Sequence, residues 1–369
     1  MRVAHLTYDM RIGGTEKVIA NIIESCANST CTHQILCLEQ PLGPFGTELK
    51  KHGIDIFEWN RKPSFDVSLI LKLRKHIKQH DIDILHCHQY TPWSYGALAC
   101  IGLATKVIFT EHGRFYPDSS SSKRRFINPL LNFFTSAVTA ISSATKHALV
   151  DFEYLPQKDI LVIYNGIKPL RYEPVDKDNM EQLREHHNIG QNTLTLGTVA
   201  RLDPIKNHSL MIDATAQLIK KGFDLHLIIV GDGEMRHSLE QQIEELDISK
   251  YVTLTGYKTH PKNYLQLFDV FLLTSFSEGT SMTLLEALSL AIPTIVTDVG
   301  GNPEIIDNNK HGLVINNDDL NGLTKAIQTL SDANTRERMS SAAKEHFDSY
   351  FTDSVMVENY MKLYIALKP

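Results

Sequence analysis

Paired cysteines are missing from this 369-residue chain. Its five, Cys26, Cys31, Cys37, Cys87 and Cys100, are an odd number, lie in the first third and have no paired spacing. That excludes a disulfide framework and fits free, mostly buried thiols in a reducing cytoplasm. Long apolar runs are missing too. None is long enough to span a bilayer, and Met1–Met10 lacks the apolar core of a signal peptide. The expectation is therefore a cytoplasmic protein. The dinucleotide fingerprint G-x-G-x-x-G is absent, which disfavours a nicotinamide-dependent enzyme. There is no short-period repeat, and no low-complexity tract beyond Ser119–Ser122.

What is present is ordinary globular material, 42% hydrophobic and 22% charged. The length suits two domains, each with its own core. Charge is uneven: residues 1–168 hold 19 Lys and Arg against 15 Asp and Glu, residues 169–369 hold 18 against 28. A basic first half and an acidic second half suggest different partners. Strand-like runs alternate with helical patterns throughout, from Arg2–Thr7 to Ile160–Tyr164 and again from Thr195–Val199 to Thr294–Thr297. Such βα alternation predicts parallel, doubly wound sheets. The charged, proline-containing stretch after Asn165 reads as a break. The expected organisation is a Rossmann-like domain over 1–168, a linker over 169–190, a second Rossmann-like domain over 191–352, and a C-terminal helix over 353–369 that returns to the first domain.

The richest segment is Thr274–Ala287, where Glu278 and Glu286 stand with seven residues between them. The apolar run Val270–Leu273 reads as a buried strand, and Ser281–Leu290 as a helix with Thr280 or Ser281 as N-cap. Glu278 then lies in a strand-to-helix turn and Glu286 in the second helical turn. Open α/β sheets bind ligands at such turns, and a helix N-terminus attracts anions. Taken alone, two such acids are more often caps and dipole partners. Three other strand ends strengthen the functional reading. Arg201 and Lys206 follow the strand ending at Val199, and suit a diphosphate through a fork and a point charge. Gly13 and Gly14 follow the first strand and allow close approach of an anion to a helix start. Gly300 and Gly301 follow the strand Thr294–Thr297, and either admit ligand contacts or form a simple turn. The turn Gly231-Asp232-Gly233 reads as structural.

Together these residues resemble family 4 glycosyltransferases, retaining enzymes of the GT-B fold, over essentially the whole chain. The carrying motifs are Arg201, Lys206, Glu278-Gly279, Leu285-Glu286-Ala287, Pro293 and Gly300-Gly301-x-x-Glu304 in that order. Asn165-Gly166, Gly13-Gly14-x-Glu16 and Thr110-Glu-His112-Gly113 add to them. Three positions depart from the pattern. Ala291 stands where members commonly carry glycine, which implies a different turn; Lys168 stands near a usual acid; Ser281-Met282 replaces a segment that often holds proline or glycine. The resemblance implies two Rossmann-like domains facing each other across a cleft, the second binding a UDP- or GDP-linked sugar and the first binding a glycan or lipid-linked acceptor. It implies that Arg201 and Lys206 hold the diphosphate, that Glu286 takes the ribose hydroxyls, and that Glu278 touches the donor sugar. Gly279 and Thr280 would offer backbone contacts, Gly13 and Gly14 would approach the distal phosphate, and His112 would sit at the reaction centre. The base is expected near Gly256 and Tyr257. The reaction needs no metal and no cofactor beyond the donor, and retention follows from front-face attack assisted by the leaving phosphate.

Two further segments stay outside that pattern. His86-Cys87-His88 invites a metal reading, but the two histidines lack a helical partner pair; no metal is expected, and His88 and Arg114 are read as acceptor contacts. Lys123–Phe134 runs from a basic cluster into apolar and aromatic residues. It reads either as a contact with an anionic membrane or acceptor lipid, or as a helix whose Phe126, Ile127, Leu130 and Phe134 face the core. Nucleic acid is not an expected partner. The expected function is transfer of a sugar in polysaccharide or lipid-linked glycan assembly, at the inner face of the membrane. The rival readings are a GT-B sugar-nucleotide epimerase and a non-catalytic nucleotide-sugar-binding protein.

Overall fold

The structure is a computed structural model that describes residues 1–11, 13–26, 31–113, 120–172 and 176–368. The chain divides into two compact units, one made of Met1–Lys168 with Tyr350–Pro369, the other of Pro169–Ser349.

The first unit holds strands β1 (Arg2–Thr7), β2 (Thr32–Cys37), β3 (Asp55–Glu58), β4 (Ile84–His88), β5 (Lys106–Glu111), β6 (Ala137–Ala140) and β7 (Ile160–Val162). They form one parallel sheet in the order β3-β2-β1-β4-β5-β6-β7. The second unit holds β8 (Leu194–Val199), β9 (Leu225–Val230), β10 (Val252–Leu254), β11 (Val270–Leu273), β12 (Thr294–Thr297) and β13 (Gly312–Ile315), parallel in the order β10-β9-β8-β11-β12-β13. Both sheets are doubly wound, as the alternation and the resemblance implied. In each, strand order reverses between the first strand and the fourth, the place at which open α/β sheets bind ligands.

The strands form where periodicity predicts because parallel strands are buried on both faces and read as apolar runs. Leu225–Val230 and Val270–Leu273 are buried throughout. Strand β4 is the instructive departure. It is not a purely apolar run but carries His86 and His88, and every residue of it is buried. The stretch 169–190, read as a linker, begins the second unit and contains the helix Asp176–His186. That helix is almost wholly polar, so no apolar period announced it. The helix Asp353–Leu367 packs on Gly14–Ser25, with Ser25 Oγ donating to Asp353 Oδ2 at 2.8 Å. Gly166 lies where the returning chain crosses: a Cβ there would meet the Thr352 carbonyl oxygen at 2.2 Å. All five cysteines are buried, and none forms a disulfide.

Ala291 was expected to give a different turn from the glycine of the family pattern. It does not. The helix Met282–Ser289 ends in a Schellman motif, with Ile292 N–H donating to Ala287 O at 3.0 Å and Ala291 N–H to Leu288 O at 2.9 Å. Ala291 is held at φ +57°, the left-handed conformation that glycine adopts freely. That conformation costs a Cβ-bearing residue about 1–2 kcal/mol, partly offset by glycine's extra freedom when unfolded, about 0.4–1 kcal/mol. Ala291→Gly is therefore expected to stabilise the second unit by up to about 1 kcal/mol, raising its melting temperature by about 2–4 °C in calorimetry. A lower melting temperature would contradict the strained turn.

Candidate functional site

Within the second unit, β8 and β11 are neighbours at the point of reversal. The loops that leave them are tied together by backbone. Phe276 N–H donates to Ile205 O at 2.8 Å, and Thr274 Oγ1 donates to Asn207 O at 2.9 Å. This brings two sequence-predicted residues into contact: Lys206 Nζ lies 2.6 Å from Glu278 Oε1, and Ser275 Oγ donates to the same oxygen at 2.6 Å. Lys206 is 22% exposed and Glu278 9%, so the pair has lost much of its water. Glu278 Oε2 makes no hydrogen bond among the described residues, which leaves it open to a hydroxyl donor. Arg201 stands apart. Its side chain is 81% exposed and meets only the nearby Asp203, at 2.6 Å, a contact that stabilises little in water.

Glycines seat these loops. Gly300 has φ +52°, and a Cβ on it would lie 1.7 Å from the Glu278 carbonyl oxygen, while Gly301 N–H donates to that oxygen at 3.2 Å. The Gly-Gly turn after β12 therefore closes on Glu278 backbone, and the reading of Gly300 as a ligand contact gives way to this structural one. Gly231, at φ +150°, does the same for the Arg201 loop: a Cβ there would lie 1.9 Å from Ala200 O. Ser281 is the N-cap of Met282–Ser289, its Oγ accepting from Leu284 N–H at 3.3 Å. Gly279 and Thr280 sit half-buried in the turn before it. Glu286 falls in the second turn and is only 8% exposed. Gly256 (φ +72°) and the exposed Tyr257 lie past β10, two strands from β8, and no contact joins them to the Lys206–Glu278 pair among the described residues.

The sequence reading missed His208. It follows Lys206 by two residues, is buried, and neither ring nitrogen has a hydrogen-bond partner among the described residues. Burial, and then the Lys206 charge, push it down to about 4, so it stays neutral behind the cation.

Within the first unit, Gly13 caps the helix Gly14–Ser25 in extended backbone. The Glu16 carboxylate lies close above Gly13, where a Cβ would stand 2.4 Å from Oε2, and burial raises its pKa. His112 follows β5; its Nε2 lies 2.8 Å from His88 Nδ1, and its own Nδ1 is buried without a partner among the described residues. Burial pushes His112 down to about 3. His88 does not face an acceptor: it is fully buried in β4, with one ring nitrogen bonded to His112 and the other to His5. Arg114 lies outside the described residues. His5, His86 and His88 offer nitrogens within 4.8 Å of one another, the spacing of a metal-binding group. Those nitrogens are taken up by mutual hydrogen bonds and by Tyr364 and Thr110. A cavity of about 340 Å³ lined by Arg184, Asp224, Asp269 and Arg336 opens at the amino ends of the second sheet's strands. Ligands of open sheets bind at the opposite end, which is where Lys206 and Glu278 stand.

Comparison with known proteins gives the family and the fold. Residues 12–171 match the family described as Glycosyltransferase Family 4, and residues 179–346 match Glycosyl transferases group 1. An N-acetyl-alpha-D-glucosaminyl L-malate synthase of Bacillus anthracis is 29% identical over 86% of this chain and 82% of its own. An Escherichia coli UDP-Gal:alpha-D-GlcNAc-diphosphoundecaprenol alpha-1,3-galactosyltransferase is 23% identical over 100% of this chain and 97% of its own. Among solved structures, Anabaena HepE in complex with UDP superposes with a TM-score of 0.88 at 22% identity, over 99% of this chain and 100% of that one. The two Rossmann-like units are those of the GT-B fold.

Gly300→Ala puts a methyl group into the Glu278 carbonyl and imposes a left-handed alanine, itself a cost of about 1–2 kcal/mol. The unfolding free energy of the variant from urea titration is expected to fall by at least that much, with a lower midpoint. An unchanged midpoint would mean that the Glu278 loop has room to give.

Proposed function

We propose that this chain, which belongs to the family 4 glycosyltransferases and is a glycosyltransferase of glycan biosynthesis, moves a sugar from a UDP-linked donor to a glycan or lipid-linked acceptor with retention at the anomeric carbon and without a metal. The observation that carries the reading is the 2.6 Å Lys206–Glu278 pair at the reversal point of the second sheet. UDP is chosen over GDP because the name of the Escherichia coli relative specifies a UDP-sugar. The second unit is the donor domain and the first the acceptor domain.

When the glycosyl–phosphate bond breaks, negative charge grows on the diphosphate and positive charge on the sugar ring. Lys206, half-buried and already directional, supplies the cation at the diphosphate; the exposed Arg201 folds onto it from solvent. The start of the helix Met282–Ser289 adds its free N–H groups. Glu278 keeps Oε1 on Lys206 and Ser275, and accepts a sugar hydroxyl at Oε2. Glu286 takes the ribose hydroxyls, Gly13 and Gly14 bring backbone to the distal phosphate, and His112 presents Nδ1 to the sugar. Attack comes from the face of the leaving group, whose phosphate takes the acceptor's proton. No carboxylate acts as a nucleophile.

Lys206→Ala removes the cation and leaves Glu278 half-buried without its charge partner. Turnover of UDP-sugar is expected to fall roughly a hundredfold or more. Lys206→Ala and Arg201→Ala turning over at the wild-type rate would refute the diphosphate assignment. Products with no new glycosidic bond would favour an epimerase instead.

A membrane contact is supported by the helix Arg124–Phe133. Its inner side joins a polar contact to the core residue Leu131: Asn128 Nδ2 donates to Glu153 Oε2 at 2.8 Å, and Arg124 pairs with Glu153 at 2.7 Å. Its outer side is apolar, with Phe126 78% and Phe133 80% exposed, and Ile127 and Leu130 exposed beside them. Of the alternative in which Phe126, Ile127, Leu130 and Phe134 face the core, the first three are overturned, since the inner positions are taken by Asn128 and Leu131, while Phe134 is partly buried. No helix among the described residues is long and apolar enough to cross a membrane. A surface contact is a different matter: each such side chain entering the interface contributes about 1.5–3 kcal/mol at most, and Lys123 and Arg125 add about 1 kcal/mol each on anionic lipid. Two relatives are named for diphosphoundecaprenol-linked substrates. Phe126→Asp with Phe133→Asp is expected to lower cosedimentation with phosphatidylglycerol vesicles at least tenfold at an unchanged melting temperature; equal binding of variant and parent would refute the contact.

A further inference from the structure

Four histidines of the first unit are strung on one line of hydrogen bonds. His33 Nδ1 lies 3.0 Å from His5 Nε2, His5 Nδ1 lies 3.0 Å from His88 Nε2, and His88 Nδ1 lies 2.8 Å from His112 Nε2. They come from β2, β1, β4 and the residue after β5. The two end atoms, His33 Nε2 and His112 Nδ1, are buried with no partner among the described residues. A fifth histidine, His86, stacks on His88 with ring centroids 4.1 Å apart, but spends its nitrogens elsewhere, 2.7 Å from Tyr364 Oη and 2.6 Å from Thr110 Oγ1.

We propose that His33, His5 and His88 are positioning residues for His112, forming with it one relay of neutral imidazoles whose shared tautomer decides whether His112 offers a proton or a lone pair at Nδ1. The inference rests on the reading of His112 as the residue beside the donor sugar.

Every link joins an Nδ1 to an Nε2. A neutral imidazole carries one proton, so each link is made only if its two rings bear the proton on the same-named nitrogen. The chain then has two unbroken states: all four protons on Nδ1, or all four on Nε2. In the first, His112 Nδ1 is a donor and His33 Nε2 is bare; in the second, the roles reverse. His112 cannot change state alone without breaking its bond to His88. A proton must enter at one end of the relay as another leaves the other. The neutral condition is met, since burial holds His5 and His88 well below the usual histidine range, His33 near 4 and His112 near 3. Hydrogen bonds in such a medium reinforce one another, so a fixed tautomer at the far end is carried to the near end. The hydrogen bond offered to a sugar hydroxyl is thereby set in advance of binding.

Nitrogen-15 spectra of the histidine-labelled protein test this directly, because protonated and bare ring nitrogens are well separated in shift. The expected result is one tautomer common to His33, His5, His88 and His112, none of them charged. Opposite tautomers at any two of the four, or a charged ring, would overturn the relay. So would one equivalent of a transition metal in the purified protein, since a metal at His5, His86 and His88 takes the nitrogens that make the links. Kinetics give a second arm. His5→Phe breaks the chain two rings from His112 and is expected to lower kcat about tenfold at constant donor KM. His5→Gln, whose amide both accepts and donates, is expected to restore most of it. Equal rates for the two variants refute the relay. If His112→Ala itself keeps the wild-type kcat, the reading of His112 fails, while the shared tautomer still stands or falls by the spectra.

Discussion

The close approach of Gly300 to the Glu278 carbonyl is the constraint on which the second unit's site depends. A carboxylate on a strand-to-helix turn is mobile unless its backbone is held. Here the backbone is clamped from two sides. The turn after β12 closes on its carbonyl through Gly300 and Gly301, and the loop after β8 is stitched to it at Phe276 and Thr274. With three loops locked, Lys206 and Glu278 meet in one geometry, and the entropy of aligning two flexible side chains is largely met before any ligand arrives. A surface ion pair without that frame contributes little. Arg201–Asp203 shows the contrast, a short bond on a side chain that remains in water.

Most of this frame was legible in the sequence. Apolar runs of the right length anticipated all but one of the strands among the described residues, and capping chemistry narrowed the helix start to Thr280 or Ser281, of which Ser281 is the cap, and so placed the turn that carries Glu278. The strand that was missed, β13, is Gly312–Ile315, four residues opening on a glycine and too short for periodicity to separate from a turn. What sequence could not supply is which glycine serves a ligand and which serves a neighbour. Gly300 and Gly13 look alike as Gly-Gly turns after strands. Only the folded chain shows that Gly300 makes room for backbone, the Glu278 carbonyl oxygen, whereas what lies above Gly13 is the end of a side chain, the Glu16 carboxylate. The same limit applies at Ala291. A side chain there suggested a new turn, but the hydrogen bonds of the helix end fixed the left-handed backbone and the alanine bears the strain.

Two features ran against the pattern that reads the rest. The helix Arg124–Phe133 buries only Asn128 and Leu131 and turns Phe126, Ile127, Leu130 and Phe133 outward, and a hydrophobic stripe by itself does not say which way it faces. The decision was made by Asn128, whose amide is engaged with Glu153 and Tyr90. In β4, two histidines stand inside a buried strand, where polar groups without partners are expensive. His86 and His88 escape that penalty by bonding to His5, Thr110 and His112, and to Tyr364 of the C-terminal helix. A signal for this existed: His5 interrupts the apolar run of β1, and it sits opposite His86 in the strand register. A histidine inside each of two runs that will pair is a stronger indication than either alone.

The two units solve the burial of polar groups in opposite ways, and the chemistry assigned to each explains the difference. Stabilising a departing diphosphate needs charge, and charge is useful only where it keeps some contact with water or with a counter-ion until the ligand replaces it; Lys206 and Glu278 satisfy this by pairing at the rim of the sheet. Recognising a neutral hydroxyl needs direction rather than charge. A protonated imidazole offers only donors, whereas a neutral one offers a donor and an acceptor whose assignment can be fixed. Packing the histidines deep in the first sheet disfavours the charged form, and linking them in series narrows the tautomers to two states that all four rings share. A single buried histidine would be neutral but free to exchange between its two forms. It is the series, more than the burial, that would give His112 a defined face.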